Sequence, residues 1–204
     1  MIISDVVEFD KRRSKIFIDG EFAFVLYKGE LCNYGISKDR ELSEETYLEI
    51  TRELLPKRAT KQAMELLVKK DYTEKKLRDT LSEGLYPVNC IDTAIEYVKS
   101  YNYLDDERYA RDYISYHIEL KGRNRIIRDL MNKGVSKDVI EAVLDDYGEE
   151  ECKTVETEQI KKLLIKKHYS SDMDYKEKQK IIAFLMRRGY SLDVIKTAMD
   201  VDLF

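Results

Sequence analysis

Two histidines, three cysteines and an aspartate pair are the residues best suited to chemistry, and their spacing equips none of them for it. His117 and His168 have no partner at triad or metal-ligand spacing, so both are expected to be structural. Cys32, Cys90 and Cys152 are odd in number and widely scattered. That fits neither a disulfide framework nor a zinc site, and it suggests a reducing cytosol. Asp105-Asp106 reads as a helix cap rather than a catalytic pair. There is no glycine-rich phosphate loop and no Walker lysine. The sequence therefore predicts no cofactor, no metal and no enzymatic activity, and what remains is the chemistry of binding.

That chemistry is cationic. Residues 57–78 carry eight basic side chains, among them Arg58, Lys61, Lys75, Lys76 and Arg78, against three acids. Residues 121–133 carry Lys121, Arg123, Arg125, Arg128 and Lys133 against Asp129 alone. Lys161 and Lys162 begin a third run, and Arg187 and Arg188 close a fourth. Arg108 and Arg111 join these candidates, or else pair with acids on their own helix. Arg123, Arg125 and Arg128 form the best single cluster, because a guanidinium grips carboxylate or phosphate through two parallel hydrogen bonds. Each run taken alone also suits a plain solvated helix face. Acids collect elsewhere, with seven in residues 135–151 against Lys137. The net charge of −4 is thus a near-cancellation. It argues against indiscriminate DNA coating but allows a protein with one basic side.

The elements that must hold these cations are helices. The chain of 204 residues has only 8 Gly and 2 Pro, too few for a many-stranded barrel or sandwich. Two stretches, Gly134-Val135-Ser136 through Ile140 and Gly189-Tyr190-Ser191 through Ile195, share the pattern Gly-x-Ser-x-Asp-Val-Ile. The apolar residues before each glycine recur at i, i+3 and i+4, which marks one buried helix face. The glycine ends that helix in the left-handed conformation, and the serine caps the next. Val135 with Ile140, Tyr190 with Ile195, and Leu104 with Tyr109 have staple spacing. A weaker copy runs through Leu77, Leu81, Gly84 and Leu85, with Pro87 at the first position of the following helix.

With a leading helix in each unit, the fold is expected to be mainly α. It comprises three tandem three-helix repeats, 57–101, 102–148 and 149–204, forming an elongated curved array. Residues 1–56 form a small N-terminal β-hairpin or sheet plus a helix. Asp19-Gly20 turns the hairpin, and Ile3 to Phe9 adds a third strand. This sheet is either a packed cap or an interaction edge. Ser43 caps a helix that Pro56 stops. Tyr97, Tyr101, Tyr103, Tyr109, Tyr113 and Tyr116 are expected in core or inter-repeat packing, with base stacking as the other reading, and Cys90 in the core. The start of the chain has no signal-peptide pattern, and no apolar run is long enough to span a bilayer, so no membrane is expected.

Leu104-Asp105-Asp106-Glu107-Arg108-Tyr109-Ala110, then Gly122, Arg123, Arg125, Ile126, Leu130, Lys133 and Gly134, then Leu185, Arg187, Arg188, Gly189, Tyr190 and Ser191 together resemble the bacterial RecX regulatory proteins. The resemblance covers residues 57–200, and the N-terminal hairpin is similar to an extension carried by some members. It implies a cytoplasmic, monomeric, non-enzymatic modulator of the RecA recombinase. Such a protein lodges in the groove of the RecA filament on single-stranded DNA and restrains ATP hydrolysis, strand exchange and co-protease activity. Tyr72-Thr73 and Pro87 depart from the family pattern in the first repeat. The other reading is a helical module that binds DNA directly, since three-helix units with a basic helix resemble helix-turn-helix domains.

Overall fold

A computed structural model describes residues 1–200 and divides the chain into two compact units, the first ending at Leu104 and the second beginning at Asp105. The first unit opens with an antiparallel meander of β1 (Ile3–Glu8), β2 (Arg13–Ile18) and β3 (Glu21–Tyr27). Asp19 and Gly20 both take positive φ, 50° and 92°, as a primed two-residue turn requires. Alternation does the sorting. Ile16 pairs with Val6 and Phe24 on the inward face, while Lys15 pairs with Val7 and Val25 on the outward one. The inward residues share one core with the helices that follow, so the sheet is a packed cap. A short helix that the sequence did not signal, α1 (Lys28–Asn33), follows β3.

Ser43 caps α2 (Glu44–Glu49) through the Thr46 N–H. Pro56 does not stop the helix, contrary to expectation. A π-helical turn at Ile50–Leu54 leads directly into α3 (Leu55–Lys69), which carries the proline in its first turn. The wider turn lets the Leu55 N–H reach back to the Ile50 carbonyl. In that register the Thr51 carbonyl would look to the N–H that Pro56 lacks. The Cys90 thiol lies 3.9 Å from that oxygen and donates to it instead. Cys90 is thus the core residue expected, with a polar task besides, and burial pushes its thiol pKa up.

Helices α4 (Glu74–Glu83) and α5 (Val88–Ser100) complete the first triplet. Small side chains on the buried faces, Ala59 and Ala63 on α3 with Cys90 and Ala94 on α5, let these two helices pack closely. The helix end differs from the expected copy. Gly84 stays at φ −76°, and Leu85 takes the left-handed position at φ 60°. Pro87 stands at the cap of α5 rather than inside it.

The second unit holds α6 (Asp106–His117), α7 (Arg123–Lys133) and α8 (Lys137–Asp146), then α9 (Glu149–Lys166), α10 (Tyr175–Arg187) and α11 (Leu192–Asp200). Asp105 caps α6 through the Glu107 and Arg108 amides. Gly134 and Gly189 take φ 97° and 99°, and Ser136 and Ser191 cap the helices after them. The second and third triplets keep separate cores, one around Ile114, Ile126, Leu130 and Ile140, the other around Ile160, Leu164, Leu185 and Ile195. The Val135/Ile140 and Tyr190/Ile195 pairs each share a core. Leu104 packs in the core of the first unit and Tyr109 against that of the second triplet.

The tyrosines depart furthest from expectation. Tyr109 and Tyr113 pack on the second core, but Tyr97, Tyr101, Tyr103 and Tyr116 are exposed. Tyr97 and Tyr116 lie on solvent-facing sides of α5 and α6, and Tyr101 and Tyr103 follow α5 outside any helix. Tyr97 and Tyr101 rings lie 4.9 Å apart, and Tyr103 stacks on Tyr101 at 6.0 Å.

Candidate interface at the second and third repeats

The arginine cluster sits where helix physics disfavours it. Helix α7 starts at Gly122, has no side-chain cap, and has no acid in its first turn. Arg123 and Arg125 instead bring positive charge to the positive end of the helix dipole. Its orphan N–H groups must also be satisfied. The third repeat supplies most of the partners. Gly122 N–H donates to the Arg188 carbonyl at 3.3 Å, and Asn124 N–H to the Gly189 carbonyl at 3.1 Å. Between them, Arg123 N–H donates to Oε1 of Glu156 on α9 at 2.6 Å. Glu156 is therefore a cap supplied by the next repeat.

Glu156 is only 7% exposed. Burial raises its carboxyl pKa, and the Arg123 amide and guanidinium hold that rise back. Two further bonds extend the seam. Gln159 Nε2 donates to the Ile118 carbonyl at 2.6 Å, and the Tyr190 hydroxyl donates to Gln159 Oε1 at 2.8 Å. The backbones touch where the glycines meet. A Cβ on Gly122 would lie 2.4 Å from the Gly189 carbonyl carbon, and one on Gly189 would lie 2.4 Å from Arg125.

Asp129 organises the next layer. It accepts from Lys121 at 3.0 Å, from the Tyr113 hydroxyl at 3.2 Å, and from Arg125 Nε at 3.0 Å. Burial pushes its carboxyl pKa up, but Lys121, Tyr113 and Arg125 outweigh that and leave it lowered. Beside this network His117 lies against the Tyr113 and Tyr116 rings, and burial lowers its imidazole pKa.

These contacts sort the expected cations. Arg123 reaches Asp145 at 3.7 Å, and Arg125 is half exposed despite its bond to Asp129. Arg128 is exposed, with its Nε on the Asn124 carbonyl. Lys133 is exposed and lies over the Tyr109 and Tyr113 rings. Arg187 and Arg188 are exposed, and the Arg188 carbonyl bonds to Gly122, so basic residues of both repeats meet at one seam. Lys161 pairs with Glu158, while Lys162 is exposed. Arg108 is exposed on α6, and Arg111 bridges Glu107 and Asp146, the local pairing its spacing allowed. The acidic α8 thus faces part of the basic set through Asp145 and Asp146.

The first repeat contributes differently. Lys61, Lys75 and Lys76 are exposed, and Arg78 is held between Glu74 and Asp92. Arg58 is not a surface cation. Its side chain is 13% exposed, pairs with Glu30 at 3.1 Å, lies over the Tyr27 ring, and donates to the Val25 carbonyl. It ties α3 to the sheet. Sequence reasoning missed Glu156 and Gln159. The available signal was an acid set in line with buried Cys152, Ile160 and Leu164 at four-residue spacing.

Models of the RecX second and third three-helix domains match residues 105–144 and 154–199. The regulatory protein RecX of Clostridium perfringens (strain 13 / Type A) is 36% identical over 92% of this chain and 90% of its own. That of Caldanaerobacter subterraneus is 31% identical over 98% and 100%. Among solved structures, a crystal structure of regulatory protein RecX superposes with a TM-score of 0.66 at 24% identity, covering 98% of both chains. RecX from Lactobacillus salivarius gives 0.64 at 24%, covering 74% of this chain and 98% of that one, and both show the fold. Shared triplets, helix ends and near full-length identity lead to one conclusion: the chain belongs to the RecX family of regulatory proteins.

Proposed function

We propose that the protein is a negative modulator of the RecA recombinase. It binds the groove of the RecA filament on single-stranded DNA as a cytoplasmic monomer, without a cofactor, and restrains ATP hydrolysis, strand exchange and co-protease activity. The observation that carries the reading is the seam between the second and third repeats. There Arg125 and Arg128 stand outward on α7, and the Arg187-Arg188 end of α10 is bonded to the start of that helix. Arginines of two repeats are thus carried on one hydrogen-bonded backbone frame, and guanidinium groups suit bidentate capture of carboxylate or phosphate.

The test is DNA-dependent ATP hydrolysis by RecA with this protein added well below one copy per protomer. Inhibition at that ratio is expected, and Arg128→Glu weakens it without loss of fold. No inhibition, together with tight salt-sensitive binding to bare DNA, sinks the proposal in favour of a direct DNA-binding module.

A further inference from the structure

Arg58 lies over Tyr27 at one end of the outward face of the N-terminal sheet, and the rest of that face is unused by anything described so far. Strand register places Asp5, Val7, Lys15 and Phe17 on it, opposite the core-facing Ile16, Ile18 and Phe24, while Val25 shares the side but is buried. Phe22 is 44% exposed and meets Phe17 edge-on at 5.9 Å, and Val7 is 41% exposed. At the β1–β2 end, the Arg13 guanidinium and the Lys15 ammonium lie 4.9 and 5.0 Å from the centre of the Phe9 ring. Aromatic rings thus lie at both ends of the sheet, with cations gathered around Phe9.

The charges on this face do not cancel. The acid on it, Asp5, pairs with Lys38, and in the turn after β1 Asp10 pairs with Arg13. Lys11, Arg12 and Lys15 have no carboxylate within ion-pair distance among the described residues, which leaves a positive surplus at one end of an aromatic surface. The outer edge of β1 is meanwhile occupied by backbone bonds between Ile3 and both Asp39 and Arg40, so a peptide does not extend the sheet there. Rings with unpaired cations match the two halves of an unpaired nucleotide, a flat base and a phosphate.

We propose that this face binds single-stranded nucleic acid, with Phe17 and Phe22 stacking on bases and Lys15, Arg12 and Lys11 tracking the backbone. The inference is independent of the RecA reading, because its main readout, binding of a labelled oligonucleotide, needs no RecA. A fluorescein-labelled oligothymidylate is titrated with the full chain and followed by anisotropy. Phe22→Ala is expected to weaken binding about tenfold, and Phe17→Ala with Phe22→Ala further. Lys15→Gln, a surface change that spares the packing, is expected to lower the log–log salt slope by roughly 0.7. Duplex of equal length competes poorly, because its bases are already stacked. Wild-type affinity and salt slope in Lys15→Gln and in folded Phe22→Ala overturn the proposal. Loss of RecA binding alone assigns the face to a polypeptide and overturns it, as does loss of binding to acidic lipid vesicles alone.

Discussion

Gly122→Ala isolates the seam between the second and third repeats. Gly122 has φ −67° and ψ 151°, a conformation alanine adopts without strain, so any cost comes from the added methyl group. That methyl would lie 2.4 Å from the Gly189 carbonyl carbon, 2.5 Å from Tyr190 N and 2.7 Å from the Gly189 oxygen. All three are backbone atoms and cannot swing aside. Ordinary contact needs a retreat of about 1 Å. Such a shift breaks the 3.3 Å and 3.1 Å bonds from Gly122 and Asn124 to the third repeat. Two bonds at about 1 kcal/mol each, with overpacking at about 1–3, predict a loss of roughly 3–5 kcal/mol. Urea denaturation of the full chain, followed by circular dichroism, measures it. Gly29→Ala is the control. A Cβ there meets open space inside a helix, so it is neutral or stabilising by up to about 1 kcal/mol. If Gly122→Ala denatures at the same urea concentration as Gly29→Ala, the steric account of the seam is wrong.

Other outcomes follow from the same contacts. Glu156→Gln keeps an oxygen for the Arg123 N–H, whereas Glu156→Ala strands that amide and costs about 1–3 kcal/mol in chemical denaturation. Because the folded-state pKa of Glu156 is raised, its favourable contribution is complete below the unfolded carboxyl pKa and is lost as pH rises through the folded value. The stability of Glu156→Gln relative to the parent should therefore grow from acid to neutral pH, and a constant difference contradicts the burial argument. Asp129 behaves oppositely. Its folded pKa is lowered, so its contribution is present above the unfolded pKa and disappears as pH falls through the folded one. Asp129→Asn should cost about 1–2 kcal/mol at neutral pH and flatten the acid limb of a melting-temperature profile. Arg58→Ala should destabilise the first unit by about 2 kcal/mol or more, since it strands Glu30 against the sheet, while leaving RecA inhibition by the folded fraction unchanged.

The parts of the fold that sequence revealed were those governed by local rules. Asp19-Gly20, Ser43, Asp105, Ser136, Gly134 and Gly189 each satisfy a backbone demand within a few residues, so their types declared their roles. The misreadings involved distant partners. Pro56 would end a helix but for the π-turn and a thiol donated from α5. Leu85 takes the left-handed position although Gly84 stands beside it. The tyrosine spacing reads as a helix face, but Tyr101 and Tyr103 fall beyond the end of α5. At the candidate interface the arginines were visible as a cluster. What holds them was not, because Glu156 and Gln159 act on a helix some thirty to forty residues away in sequence. Arg58 looked like one more cation in a basic run until the sheet closed around it.

Comparing the middle helix of each repeat gives the seam a further meaning. Thr73 caps α4 and Asp174 caps α10 through their own side chains, whereas the corresponding residue before α7 is Gly122. The middle repeat has forfeited its own cap, and its neighbour's backbone and carboxylate fill the vacancy. The start of α7 therefore has no cap within its own triplet, and anything that loosens the third repeat also uncaps the second.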